Sequence, residues 1–222
     1  MSSKLSAASA DSATGWVASL SPWPEEFGLD RMRQLLDRLG HPERRYPAIH
    51  VVGTNGKSTA TRTIAALLHA EGRRAGAYTS PHVSGWAERI WVNGAEVDFE
   101  RAVARVRPDA SAIGATQFEA LTAAALLEFA ASQVKVAVVE AGLGGRLDAT
   151  NVVDAEIVLL TNVSLEHTDV LGDTTEQIAK EKLAVAHAAR IVVLPDNQYV
   201  HLVPKSAEIV TGDARKAAEI FL

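Results

Sequence analysis

The chain has 222 residues, enough for one large domain or for one domain with part of another. Its composition is 47% hydrophobic and 22% charged, and no window is apolar and long enough to span a bilayer, so a globular protein without a membrane partner is expected. The 22 Lys and Arg against 27 Asp and Glu form no basic stripe, which argues against nucleic acid as a partner; the absence of cysteine excludes disulfides, thiolate metal sites and a cysteine nucleophile, and is compatible with a cytoplasmic location.

Met1 to Gly15 is rich in Ser and Ala and lacks the apolar core of a signal peptide, so residues 1–24 are expected to be a flexible or helical lead-in to a domain over 25–222. Gly28 to Leu39 predicts a helix with Leu29, Met32, Leu35 and Leu36 on one face and Gly40 at its end. After Pro47, the apolar run Ala48 to Val52 predicts a strand, followed by a glycine loop, a helix from Lys57 to Ala70 and a strand from Ala75 to Tyr78. Arg89 to Val92 reads as one arm of a hairpin turning at Asn93-Gly94. Helices are predicted over Phe99 to Val106 and Phe118 to Ser132. Val134 to Glu140 and Glu156 to Leu160 are continuous apolar runs suited to central parallel strands. Thr174-Thr175-Glu176-Gln177 has capping-box character for a helix reaching about Ala189, and Arg190 to Leu194 predicts a further strand. Beyond Pro195 the pattern weakens, up to an apolar stretch at Ala217 to Leu222. The alternation predicts an α/β fold with a mainly parallel sheet flanked by helices and a ligand at the carboxyl ends of the strands.

Gly53-Thr54-Asn55-Gly56-Lys57-Ser58 lies between a strand and a helix, where free backbone N–H groups and the helix dipole favour phosphate and Lys57 adds positive charge. The strict phosphate-loop spacing would require glycine at position 51, where Val51 stands, so this is a variant loop. Glu140 ends a buried strand and precedes the glycine-rich run Ala141 to Asn151, so it suits a hard cation beside a ligand-approaching loop. Tyr78-Thr79-Ser80-Pro81-His82 reads equally well as a proline-fixed turn. Thr116-Gln117-Phe118-Glu119 reads equally well as a helix start.

The phosphate loop resembles that of the Mur-ligase superfamily of ATP-dependent amide ligases. Phe27-Gly28-Leu29-Asp30-Arg31, Ile49-His50, the Ser80 segment and the Glu140 run resemble its folylpolyglutamate synthase/dihydrofolate synthase branch. The resemblance implies a P-loop NTPase-like central domain in which Thr54, Asn55, Gly56, Lys57 and Ser58 bind ATP, while Ser80 and Glu140 hold Mg²⁺. It further implies that His167 and Lys182, the lysine carried as a carbamate, hold a second Mg²⁺. Phe27, Thr116, Gln117, Phe118, Glu119, Leu147, Asp148 and Ala149 are then expected to contact a pteroate or folate acceptor, with L-glutamate as the other substrate. Lys57, Glu140, His167 and Lys182 would serve catalysis, in a protein acting as a monomer. Members of that family are roughly twice this length, so a fragment that binds MgATP without turning over is expected. A non-catalytic nucleotide-binding module and another Mur-type amino-acid ligase are the alternatives.

Overall fold

The computed structural model describes residues 12–222; the first eleven residues of the expected lead-in lie outside them. Eight strands form one sheet: β1 (Ala48–Val52), β2 (Ala75–Tyr78), β3 (Ile90–Val92), β4 (Ala95–Glu96), β5 (Val136–Glu140), β6 (Ile157–Leu160), β7 (Ile191–Leu194) and β8 (Glu208–Thr211). Their order is β4-β3-β2-β5-β1-β6-β7-β8, parallel from β2 to β8, with β3 and β4 added as an antiparallel hairpin. The helices are α1 (Ala13–Ser19), α2 (Asp30–Arg38), α3 (Lys57–Ala70), α4 (Phe99–Ala112), α5 (Gln117–Ala131), α6 (Thr168–Leu171), α7 (Thr175–Leu183) and α8 (Ala214–Phe221).

β1, β2, β5 and β6 are buried along their whole length because helices cover both faces, which is why they read as unbroken apolar runs. Strand periodicity divides β1 between the layers: Ile49 and Val51 meet Ile64 and Leu68 of α3 and Ala217 of α8, whereas Ala48 and Val52 join the core built on α1, α2, α4 and α5. Gly76 of β2 lets Phe129 approach, since an added Cβ would lie 2.6 Å from the ring.

Two elements depart from the sequence expectation, and a third forms within the lead-in expected to be flexible or helical. α4 continues through Pro108 to Ala112: the proline removes one helix N–H, but Val106 and Ala110 are buried in the core, and burial outweighs the lost hydrogen bond. The helix expected to reach Ala189 ends at Leu183 and tightens into a 3₁₀ segment over Ala184–Ala188. α1 is capped by the Ser12 hydroxyl, which accepts from Gly15 N at 3.0 Å, and it buries Trp16 and Val17.

Behind the ligand edge, His50 of β1 is fully buried. Its Nε2 lies 2.9 Å from Thr150 Oγ1, and the Thr150 hydroxyl in turn donates to Asp148. Since that hydroxyl proton goes to the carboxylate, His50 Nε2 is the donor in the first bond, which requires the neutral Nε2–H tautomer. Burial, with a smaller contribution from His187, lowers the His50 pKa to about 3. The unfolded chain therefore takes up this proton near pH 6.5 and the native state does so only near 3, so stability falls as pH drops through that window. In urea titrations from pH 7 to 4, the wild type should lose up to about 1.4 kcal/mol per pH unit through this group. His50→Gln should give a shallower slope, and an unchanged slope would remove His50 as the cause.

Candidate functional site

β1 delivers the chain into Gly53, whose φ of +142° and close approach to Thr161 exclude a side chain: an added Cβ would sit 1.9 Å from Thr161 Oγ1. Residues after β6 clamp the loop. Thr54 N donates to Asn162 O at 2.9 Å, Asn55 N to Asn162 Oδ1 at 3.0 Å, and the Thr161 hydroxyl to Asn55 O at 2.7 Å. Gly56, with φ +78°, turns the chain into α3, whose first turn has no side-chain cap and so presents its amides outward. Lys57 Nζ donates to Gly53 O at 3.0 Å and Thr54 O at 3.1 Å.

Glu140, at the end of β5, stands beside this loop and is buried. Its Oε1 accepts from Ser58 Oγ at 2.9 Å and its Oε2 from Ser80 N at 3.0 Å. Burial raises its pKa, outweighing the opposing effects of those two donors and of the Lys57 and Arg62 charges. This is a buried carboxylate met by a hydroxyl and an amide but by no ion-paired cation among the described residues. Hard oxygen donors of this kind suit Mg²⁺, which keeps waters and phosphate oxygens in its shell.

Lys182 of α7 reaches the same loop from the other side. It is buried, and its Nζ donates to Gly53 O at 2.9 Å and to Glu166 Oε1 at 2.6 Å. Desolvation lowers its pKa, opposed by Glu166. For Glu166, burial acts upward, but the Lys182 hydrogen bond and charge, with Thr54 and Lys57, bring it below the usual carboxylate range. Glu166 was not singled out from the sequence; its place beyond β6, one residue before His167, was the available signal. His167 adopts φ +46° at the start of α6 and is exposed; its carbonyl accepts from Val170 N and Leu171 N at 2.9 Å, and its side chain has no hydrogen bond or ion pair among the described residues.

The residues expected at the acceptor divide into two groups. Phe118 lies 6.0 Å from the Tyr78 ring and packs on Gly142, where an added Cβ would be 2.6 Å from Phe118 Cζ. Phe27 is exposed beside Trp23 at 6.4 Å, and Leu147 is exposed. The other polar side chains are held by the fold itself. Thr116 and Glu119 form a reciprocal capping box, with Arg31 Nε also donating to Glu119 Oε2 at 2.7 Å. Gln117 Nε2 donates to Val17 O at 3.1 Å. Asp148 is buried and accepts from Leu143 N at 2.7 Å and Thr150 N at 3.0 Å, shaping the glycine loop that leads to Ala149. Gly145 in that loop lies against the α7 backbone, an added Cβ falling 2.6 Å from Glu181 O and 2.7 Å from Lys182 O.

The chain is 35% identical over 219 residues to the dihydrofolate synthase/folylpolyglutamate synthase of Bacillus subtilis, covering 94% of this chain and 50% of that protein. E. coli FolC, solved in complex with DHPP and ADP, superposes with a TM-score of 0.83 at 33% identity, covering 91% of this chain and 51% of that one. The Yersinia pestis bifunctional folylpolyglutamate synthase/dihydrofolate synthase, complexed with AMPPNP and Mn ion, gives 0.79 at 33% identity over 90% and 52%. The chain thus spans about half the length of the relatives it matches. A model of the Mur ligase middle domain matches residues 51–218. That match takes in the phosphate loop, Glu140 and Lys182 alike, and the chain belongs to the Mur ligase middle-domain family, among relatives that are folylpolyglutamate and dihydrofolate synthases.

Proposed function

We propose that this chain is the ATP-binding part of an ATP-dependent amide ligase that joins L-glutamate to a dihydropteroate or folate acceptor. The convergence of Lys57, Ser58, Glu140 and Lys182 around Gly53 carries the reading. It is supported by relatives solved with ADP or AMPPNP and Mn, and by one solved with L-glutamate bound. The same reading makes it a cytoplasmic monomer acting on small molecules; among the described residues no helix is long and apolar enough to cross a membrane.

Amide formation from a carboxylate in water is uphill, so the acceptor carboxylate is first converted to an acyl phosphate that the glutamate amine then attacks. The protein contributes positioning and charge. The α3 amides and Thr54 to Ser58 would cradle the triphosphate, and Lys57 would move its ammonium from the Gly53 and Thr54 carbonyls to phosphate oxygens. Ser58, Ser80 and Glu140 would hold Mg²⁺, which when bound offsets charge on the γ-phosphoryl group. Lys182 and Glu166 would keep the loop carbonyl of Gly53 turned away from the phosphates, so that its amides face them. Phe118 and the Gly142–Asp148 loop would border the acceptor. His167 is exposed and joins neither Glu140 nor Lys182, so the ion held by Ser58, Ser80 and Glu140 is the one that would assist phosphoryl transfer.

Calorimetry of the ATP analogue AMPPNP with Mg²⁺ should show binding that Lys57→Ala weakens by about a hundredfold. Glu140→Gln should abolish the gain in AMPPNP affinity on adding Mg²⁺; retention of that gain would remove Glu140 from the ion site.

Pteroate should bind in the presence of MgAMPPNP, and a uridine-linked cell-wall precursor should not. The reverse preference would assign the chain to another Mur-type ligase, and nucleotide binding with neither acceptor would leave a nucleotide-binding module.

A further inference from the structure

Arg89 ends the 3₁₀ turn Trp86–Arg89 and is only 8% exposed. A guanidinium does not give up its proton in a protein, so burying it is costly unless an anion or a full set of acceptors faces it. The ion pairs among the described residues include none to Arg89, and its sequence neighbour Glu88 is committed elsewhere. The Glu88 carboxylate accepts from Val83 N at 2.6 Å, Ser84 N at 2.7 Å and Gly85 N at 3.4 Å, and meets Arg62 at 3.5 Å. Those amides hold the Glu88 pKa at about 2, so it is an anion that braces the loop.

The groups that Arg89 does touch are neutral and mostly aromatic. Its Nε donates to His82 Nδ1 at 3.0 Å, its guanidinium carbon lies 5.0 Å from the Trp86 ring centroid, and the Tyr78 hydroxyl is within hydrogen-bonding reach. His82 packs against Trp86 with the rings tilted by 49° and their centroids 4.3 Å apart, and burial, followed by the Arg89 charge, lowers its pKa. These contacts orient the guanidinium without neutralising it. Thr79 N donates to Arg89 O at 2.9 Å, which seats Arg89 beside the residue preceding Ser80, whose amide lies on Glu140. Through Tyr78, the cluster continues to Phe118 and the Gly142 loop. A fixed fork of donors beside the Trp86 ring, next to the ion-binding carboxylate, matches a planar aromatic acid.

We infer that Arg89 is the specificity-determining residue of the acceptor site, its terminal nitrogens receiving the carboxylate of an aryl-carboxylic acid whose ring lies along the partly exposed Trp86. This rests on the acceptor reading given above. The experiment is calorimetry of pteroate and of its methyl ester with the 222-residue chain in saturating MgAMPPNP. The wild type should bind the acid about tenfold to a hundredfold more tightly than the ester. Arg89→Gln should erase that preference by weakening the acid alone, and Arg89→Lys, which keeps the charge but loses the fork, should retain part of it. AMPPNP affinity should stay unchanged in both variants, and Arg89→Lys carries the comparison should Arg89→Gln lose the fold. Equal weakening of acid and ester, or an undiminished preference in the variants, overturns the role of Arg89 and leaves the acceptor reading standing. Failure of the wild type to bind either ligand overturns both.

Discussion

β1 is hydrogen-bonded on both edges, with Val51 in register with Glu140 of β5 and Leu159 of β6. Parallel pairing brings the carboxyl ends of three consecutive neighbours in the sheet out at one edge, so the loops leaving β5, β1 and β6 must meet there. The buried carboxylate, the phosphate loop and the Thr161–Asn162 clamp are thus consequences of one register. A one-residue slip of β1 would turn Ile49 and Val51 to the opposite layer and carry Gly53 out of its fit against Thr161.

Charge is arranged around that edge in two unlike ways. Lys182 and Glu166 form a closed ion pair whose remaining hydrogen bond goes to the Gly53 carbonyl, making the pair a brace for the loop. Glu140 has only a hydroxyl and an amide as donors, which leaves its charge available to a cation. Low local dielectric strengthens both arrangements, and it is also what makes a buried charge without a counter-ion, such as Arg89, informative. Behind the edge, the chain His50–Thr150–Asp148 ties the middle of β1 to the glycine loop that follows Glu140, so the core and the ligand-facing loop are organised by the same polar contacts.

The elements nearest the site were the most legible. β1, α3 and β2 begin and end where the sequence places them, because a buried strand is an unbroken apolar run and a glycine loop marks the boundary on either side. Legibility fell where packing overrides local signals. Pro108 looks like a stop until the neighbouring α5 is present to hold Val106 and Ala110, and α1 and β8 lack a periodic pattern strong enough to separate them from the segments around them. Within the site, Thr116 to Glu119 reads both as a ligand-contacting motif and as a helix start, and the structure adds the capping box and the Arg31 contact to Glu119.

By itself the sequence determined the phosphate loop, its strand and helix, and the order of Ser80, Glu140 and Lys182 along the chain, since each depends on residues within a few positions of one another. Tertiary structure alone decided that Glu166, and not His167, faces Lys182, that Asp148 turns inward to shape its own loop, and that Arg89 is buried without a carboxylate. Those facts depend on which distant segments the parallel sheet brings together, and a charge's partner is set by that through-space distance and by burial, neither of which is written in local spacing.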